Sequence, residues 1–187
     1  MPGAHLDAAY HLSVMKGYEI RVAVAADADV LKDLHRQSSL VYEDTRAILI
    51  AHPEIFGVSD AAIRAGHVRV LVSDGRIVAF STVIPRPDGT GEMEDLFVEP
   101  KSMRQGLGRE LIDDAIAIAR TRGLQRIEVT ANPNAMAFYA KVGFVLDGEV
   151  PTEFGSGSRM HLDLRSSCDS ATWLAGVETI EPSGGNS

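Results

Sequence analysis

The chain has 187 residues, 45% apolar and 24% charged, which is material for one domain with a real core and too little for a second full one. Its apolar runs stop far short of the ~20 residues a membrane helix needs, and a net charge of −8 with no basic helix argues against a nucleic-acid surface. The lone cysteine, Cys168, excludes an internal disulfide, and the six histidines (His5, His11, His35, His52, His67, His161) show no metal-ligand spacing, so no metal site is expected.

Residues 1–17 carry no periodicity and read as an N-terminal extension. Because Met1-Pro-Gly-Ala-His-Leu-Asp7 lacks a basic-then-apolar leader pattern, the chain reads as cytoplasmic. The domain, residues 18–165, starts where Tyr18 to Val24 alternates as a strand. Val30, Leu31, Leu34 and Leu40 then recur at helical spacing over 29–40, with Asp27 placed to cap the start. A second helix is expected over 43–51, stopped by His52-Pro53, and a third over 59–65, ended by Gly66. His67 to Ser73 and Arg76 to Ile84 alternate as two strands joined by Asp74-Gly75, a two-residue hairpin signal. After the turn cluster Pro85 to Gly91, the strand from Glu92 pairs back on its predecessor.

The stretch from Glu92 to Ile118 organises the rest. Leu96, Phe97 and Val98 form a strand that stops at Glu99-Pro100, since proline lacks the N–H a ladder requires. Leu107, Leu111, Ala115, Ile118 and Ala119 then line one stripe of a helix that Gly123 ends. Between them lies a short loop with Gly106 and Gly108 at its end, ringed by Lys101, Arg104 and Arg109. The unpaired N–H groups of a helix start favour an anion, and glycine lets a phosphate come close. Two familiar nucleotide loops fit badly, because Leu111 stands where a dinucleotide fold wants a third glycine, and Arg109-Glu110 follows where a Walker loop wants Lys-Ser/Thr.

A strand over 125–131 follows the helix, so the strand–helix–strand unit implies a parallel pair in an otherwise antiparallel sheet. Asn132-Pro-Asn134 breaks that strand, a short helix spans 135–142, and strands over 144–150 and 159–164 flank Pro151 and Gly155-Ser-Gly157. Residues 166–187 read as a flexible tail, in which Trp173, Leu174 and Val177 could dock a short element.

Two segments in this order, Leu96-Phe-Val-Glu-Pro100 through Met103-Arg-Gln-Gly-Leu-Gly108 and Asn132-Pro-Asn-Ala-Met-Ala-Phe-Tyr-Ala-Lys-Val-Gly-Phe144, resemble the GNAT superfamily of N-acetyltransferases. The resemblance covers roughly residues 18 to 164. It implies an α/β fold, a central mixed and mostly antiparallel sheet with a splayed parallel strand pair flanked by helices, and acetyl-CoA as acyl donor. It also implies that the pyrophosphate rests on Met103, Arg104, Gln105, Gly106, Leu107, Gly108 and Arg109, with Met103 standing where the family usually has Arg or Gln. Leu96, Phe97 and Val98 would carry the pantetheine arm, Asn132 the second motif, and Tyr139 the general acid that protonates the leaving thiolate. Family members are often dimers, so a homodimer is an expectation of the resemblance.

An amine acceptor also has to lose a proton, because neutralising a lysine-like ammonium at pH 7 costs roughly 4 to 5 kcal/mol. By period-two alternation Glu92 and Glu94 share one strand face and Asp95 points to the other, which makes Glu92 or Glu94 the base candidate and Glu128 a third. The acceptor pocket is expected around residues 40–65 and 151–158. The reading is an N-acetyltransferase acting on a primary amine of a small molecule or protein. A non-catalytic acyl-CoA-binding module and an NAD- or nucleotide-binding protein stand as alternatives.

Overall fold

Period-two alternation becomes one seven-stranded sheet. Its strands are β1 (Tyr18–Val22), β2 (Val68–Ser73), β3 (Arg76–Pro85), β4 (Thr90–Val98), β5 (Arg126–Ala131), β6 (Val145–Thr152) and β7 (Gly155–Asp163), in the order β1-β2-β3-β4-β5-β7-β6. The computed structural model describes residues 17–152 and 155–164. The readings for residues 1–16, Cys168, Trp173, Leu174 and Val177 lie outside those residues. Only β4 and β5 pair in parallel, and every other neighbouring pair is antiparallel, as the mixed-sheet expectation requires.

Three helices, α1 (Ala28–Ser39), α2 (Glu43–Ala51) and α3 (Asp60–Arg64), connect β1 to β2. The crossover from β4 to β5 contains α4 (Leu107–Thr121), and α5 (Met136–Lys141) follows β5. Leu31 and Leu34 of α1 with Ala62 and Ile63 of α3 cover one face of the sheet at Val68, Val70 and Phe80. On the opposite face, Leu111 of α4 packs on Leu71 and Ala79. Ile112, Ala115 and Ala119 of the same helix join Met93, Ile127, Val129 and Tyr139 there. The middle of the sheet is therefore covered on both sides, and each wholly buried leucine, isoleucine or phenylalanine is worth roughly 1.5 to 3 kcal/mol.

Asp74 and Gly75 both take positive φ, 49° and 72°, the backbone a two-residue hairpin of matching twist needs. The last hairpin is longer than the sequence suggests. Pro151 and Gly155 read as strand breakers, yet they belong to β6 and β7. Since β6 is the outermost strand of the sheet, a proline on its free side forfeits no ladder bond. Gly157 is required for space: a Cβ there would lie 2.7 Å from the Thr130 side chain.

Candidate functional site

The parallel pairing of β4 with β5 is short. It runs from Thr90 opposite Arg126 to Met93 opposite Val129 and then ceases, while β4 continues to Val98 and β5 to Ala131. From Met93 onward the two strands part, leaving one edge of β4 without a sheet partner. The Glu99 N–H donates to the Val78 carbonyl at 2.7 Å, which fixes the phase of the β3–β4 ladder. By alternation, Leu96 and Val98 turn their backbone groups to the open edge, and Phe97 turns its own back to β3. The Val98 carbonyl accepts a bond from Ser38 Oγ at 2.8 Å. The Phe97 ring stacks on His35, with centroids 4.1 Å apart, and so anchors α1 to the same strand.

Pro100 to Ser102 turn the chain as a single 3₁₀ turn, and left-handed backbone at Arg104 (φ 62°) and Gly106 (φ 88°) completes the loop. Among the described residues no backbone acceptor is met by the amides from Arg104 to Gly108, whereas those of Arg109 and Glu110 both close on the Gly106 carbonyl. The result is a concave set of free N–H groups at the start of α4, suited to an anion. Of the three nearby cations, Lys101 lies 3.1 Å from Glu99 and Arg109 lies 3.8 Å from Asp113, whereas exposed Arg104 forms no ion pair among the described residues. Beside the loop opens a cleft of about 440 Å³, lined in part by Arg76, Ser102, Gln105 and Leu107.

The two glycines of the loop do different work. Gly106 has open space around its missing side chain and is needed for its backbone angle. Gly108 makes room for packing: a Cβ there would sit 3.2 and 3.3 Å from the Phe138 ring and 3.8 Å from Val98. Phe138 in turn meets Tyr139 edge-on at 5.3 Å, so the start of α4 is packed directly against the residue beside Tyr139.

Asn132 sets up that short helix. Its backbone carbonyl and its Oδ1 both accept the Ala135 N–H at 3.0 Å, fixing the turn into α5. Tyr139 is 6% exposed, held edge-on against Phe144 at 5.2 Å, and its hydroxyl approaches Met93 Sδ at 3.8 Å. Because Met93 is the last β4 residue paired to β5, the phenol oxygen stands at the apex where the strands separate. Burial, and next the charge of Asp95, hold the phenol's pKa well above its ordinary range, so it keeps its proton.

The carboxylates are arranged differently from the alternation expected of the sequence. The pairing steps from Thr82 opposite Asp95 to Val83 opposite Met93, so Glu94 is an extra residue, a β-bulge, that shifts the phase of the strand. Asp95 lies opposite Thr82 and Glu92 opposite Ile84, on the face where α1 packs. Glu92 and Asp95, rather than Glu92 and Glu94, share a face, and Glu94 is exposed at the bulge.

Glu92 is buried and committed. Arg159 donates to its two oxygens at 2.6 and 2.7 Å, and Arg86 approaches at 3.0 Å. The same guanidinium bonds Glu128, directly across the parallel pair from Glu92, and Thr130 Oγ1 at 3.1 Å. Asp95 forms no ion pair among the described residues. Burial first, and the neighbouring charge of Glu94, raise its carboxyl to a pKa of about 6. The Thr82 hydroxyl beside it pulls the other way, although no hydrogen bond of full geometry joins them. Arg159 and Asp95 were absent from the expected site. A strand register would have revealed the first, and nothing local in Gly91-Glu-Met-Glu-Asp-Leu96 announces the bulge that delivers the second.

Among the described residues, no helix is long and apolar enough to cross a membrane, and no cluster of three His, Cys, Asp or Glu side chains is placed to hold a metal. Residues 29–144 match the model of the Acetyltransferase (GNAT) family. Glucosamine 6-phosphate N-acetyltransferase of Trypanosoma brucei brucei is 30% identical over 121 residues, which are 60% of this chain and 82% of the relative. Glucosamine 6-phosphate N-acetyltransferase 1 of Oryza sativa subsp. japonica is 32% identical over 94 residues, 46% of this chain, and the match spans 57% of the relative's length. The solved PaiA N-acetyltransferase from Thermoplasma acidophilum, in complex with coenzyme A, superposes with a TM-score of 0.64 over 78% of this chain and 98% of that one. At 19% identity that likeness is one of fold.

Proposed function

Since the chain belongs to the acetyltransferase (GNAT) family, we propose that it transfers the acetyl group of acetyl-CoA to a primary amine. The observation that carries this reading is the parting of β4 from β5 at Met93 and Val129, with free amides at the outer end of the gap and a protonated phenol at its apex. In this reading the loop from Met103 to Arg109 takes the pyrophosphate on its N–H groups, and Arg104 adds charge where the family usually has it one residue earlier. The pantetheine amides lie along the open edge at Leu96 and Val98, and the thioester reaches the apex. Phe97 contributes by packing, and Asn132 by fixing the turn that holds α5.

Attack of the amine nitrogen on the thioester carbon forms the C–N bond, and collapse of the intermediate breaks the C–S bond. Tyr139 gives its proton to the departing thiolate. The incoming ammonium must first lose a proton to a carboxylate at the gap. Glu94 stands open to solvent there, while Glu92 and Glu128 are engaged by Arg159. The acceptor approaches over the face of β5 and β7 that carries Glu128, Thr130 and His161, with an acidic surface that suits a cationic amine. The lone cysteine, which cannot close an internal disulfide, supports placing this activity in the cytoplasm.

The test has two stages. Acetyl-CoA at a hundredfold excess over Kd should stabilise the protein by about 2.7 kcal/mol, a rise in Tm of roughly 5 to 10 °C that NAD and ATP do not give. Release of free CoA thiol is then followed against glucosamine 6-phosphate, serotonin and a lysine peptide. Tyr139→Phe should lower kcat about 10- to 100-fold while leaving acetyl-CoA affinity in place. Stabilisation without turnover would leave a non-catalytic acyl-CoA-binding module, and an unchanged kcat in the phenylalanine variant would remove Tyr139 as the acid.

A further inference from the structure

We propose that Asp95, set on the α1 face of the parted stretch of β4 by the bulge at Glu94, is the residue that takes the proton from the acceptor's ammonium group; this rests on the acetyl-transfer reading above. Three observations converge on it. Two of the three carboxylates the sequence offers are engaged: Glu92 is held by Arg159 and Arg86, and Glu128 by the same Arg159 and, at 3.9 Å, by Arg126, while the third, Glu94, lies exposed at the bulge. A carboxylate held by a guanidinium has fewer lone pairs left for substrate and is weakened as a base by the positive charge. Asp95 has neither restraint among the described residues.

The second observation is position. Asp95 lies two residues beyond Met93, on the stretch of β4 that has left β5, and its charge reaches the Tyr139 phenol at the apex. The phenol comes from the α4–α5 side of the sheet and the carboxylate from the α1 side, so the two groups flank the gap from opposite faces. A thioester in that gap would have the acid on one side and the base on the other.

The third is the surroundings. The groups near Asp95 are Glu94 on its own strand, Thr82 on β3 and Tyr139 on α5. From α1, His35 faces the next residue on that face, Phe97, where burial keeps its ring neutral. Farther along the same face Glu92 carries Arg159 and Arg86, both of which are paired with its carboxylate. Asp95 is half-buried, not sealed in the core.

The protons balance. The ammonium loses its first proton to Asp95, which passes it to solvent. The neutral nitrogen forms the C–N bond and sheds its second proton as the C–S bond breaks. The thiolate takes the Tyr139 proton, and the proton shed by nitrogen restores the phenol.

The test measures kcat/KM against pH for wild type, Asp95→Asn, Asp95→Glu, Glu92→Gln and Glu94→Gln, using the amine of the panel with the highest wild-type kcat/KM. Wild type should lose activity below about pH 6, the range in which a raised carboxyl protonates. Asp95→Asn should fall about 100-fold at pH 7 and then rise about tenfold per pH unit toward the amine's own pKa, since only amine already neutral can react. Its acetyl-CoA Kd should be unchanged, and Asp95→Glu should recover part of the rate with an acid limb; if the asparagine variant fails to fold, the glutamate variant carries the test by a displaced limb. Wild-type rate and acid limb in Asp95→Asn, or loss of the limb in Glu92→Gln or Glu94→Gln instead, would overturn the assignment while leaving acetyl transfer intact. Acetyl-CoA binding without turnover of any panel amine would overturn the acetyl-transfer reading and this assignment together.

Discussion

If Asp95 is ionised in a place that disfavours its charge, the fold must bear a cost, and Asp95→Asn should relieve it. Asparagine keeps the shape and removes the charge. The carboxyl titrates at about 6 in the folded protein against an ordinary 3.8, a gap of about two pH units. At roughly 1.4 kcal/mol per unit the ceiling is about 3 kcal/mol, and contact with solvent reduces it to about 1 to 2 kcal/mol. The sign follows from linkage. Below about pH 3.8 the carboxyl is protonated in both folded and unfolded chains and costs nothing; between 3.8 and 6 the unfolded chain ionises first and the folded state loses ground; above 6 the full penalty applies. Thermal unfolding of both proteins from pH 4 to pH 8 should therefore show the variant higher by roughly 2 to 8 °C at pH 8, with the two curves meeting near pH 4. A variant less stable than wild type at pH 8, or a difference that does not change with pH, would refute the claim that Asp95 is held ionised at a cost. Combined with loss of turnover, the expected result is a site that trades stability for a basic carboxylate.

Arg159→Met should cost about 1 to 3 kcal/mol in urea unfolding, because Glu92 and Glu128 then face each other across the parallel pair with only the half-exposed Arg86, 3.0 Å from Glu92, and the more distant Arg126 to offset them. Arg109→Met, which breaks an exposed pair of 3.8 Å, should cost less than about 1 kcal/mol in the same assay. Gly108→Ala should lower kcat more than acetyl-CoA affinity, since the new methyl group meets the Phe138 ring at 3.2 Å and that ring supports Tyr139; equal loss of both would point to phosphate contact instead. Gly106→Ala should do the reverse, weakening acetyl-CoA binding through about 1 to 2 kcal/mol of left-handed strain where no side chain is in the way.

The sequence made the helices and the hairpin plain because each rests on short-range physics. Leu111 and Ala115 recur at the helical period, Asp74-Gly75 tolerates the left-handed turn, and the run into Gly106 fixes where α4 can begin. The family segments likewise marked the gap and its phenol, since Asn132 and Tyr139 are separated by the one turn and one short helix that carry the ring back to β4. Strand lengths were less legible at β6, where the edge position spares Pro151 its usual penalty.

The face of each acid on β4 could not be read at all, and the reason is specific. Alternation assumes an unbroken ladder, whereas one inserted residue changes the side of everything after it. Nothing in Glu92-Met-Glu-Asp95 requires an insertion; the partner strand and the helices on both faces decide it. Phe97 must meet Phe80 and His35 on the α1 face, and Met93 must meet Ile112 on the α4 face. Four residues apart, those two would share a face in a regular strand. Placing both in their cores forces one residue out of register, and the bulge at Glu94 is where the ladder yields. The packing of two hydrophobic layers thus sets Asp95 on the α1 face of the parted strand, opposite the side from which Tyr139 comes, so the proposed base depends on a conflict between cores on opposite sides of one strand.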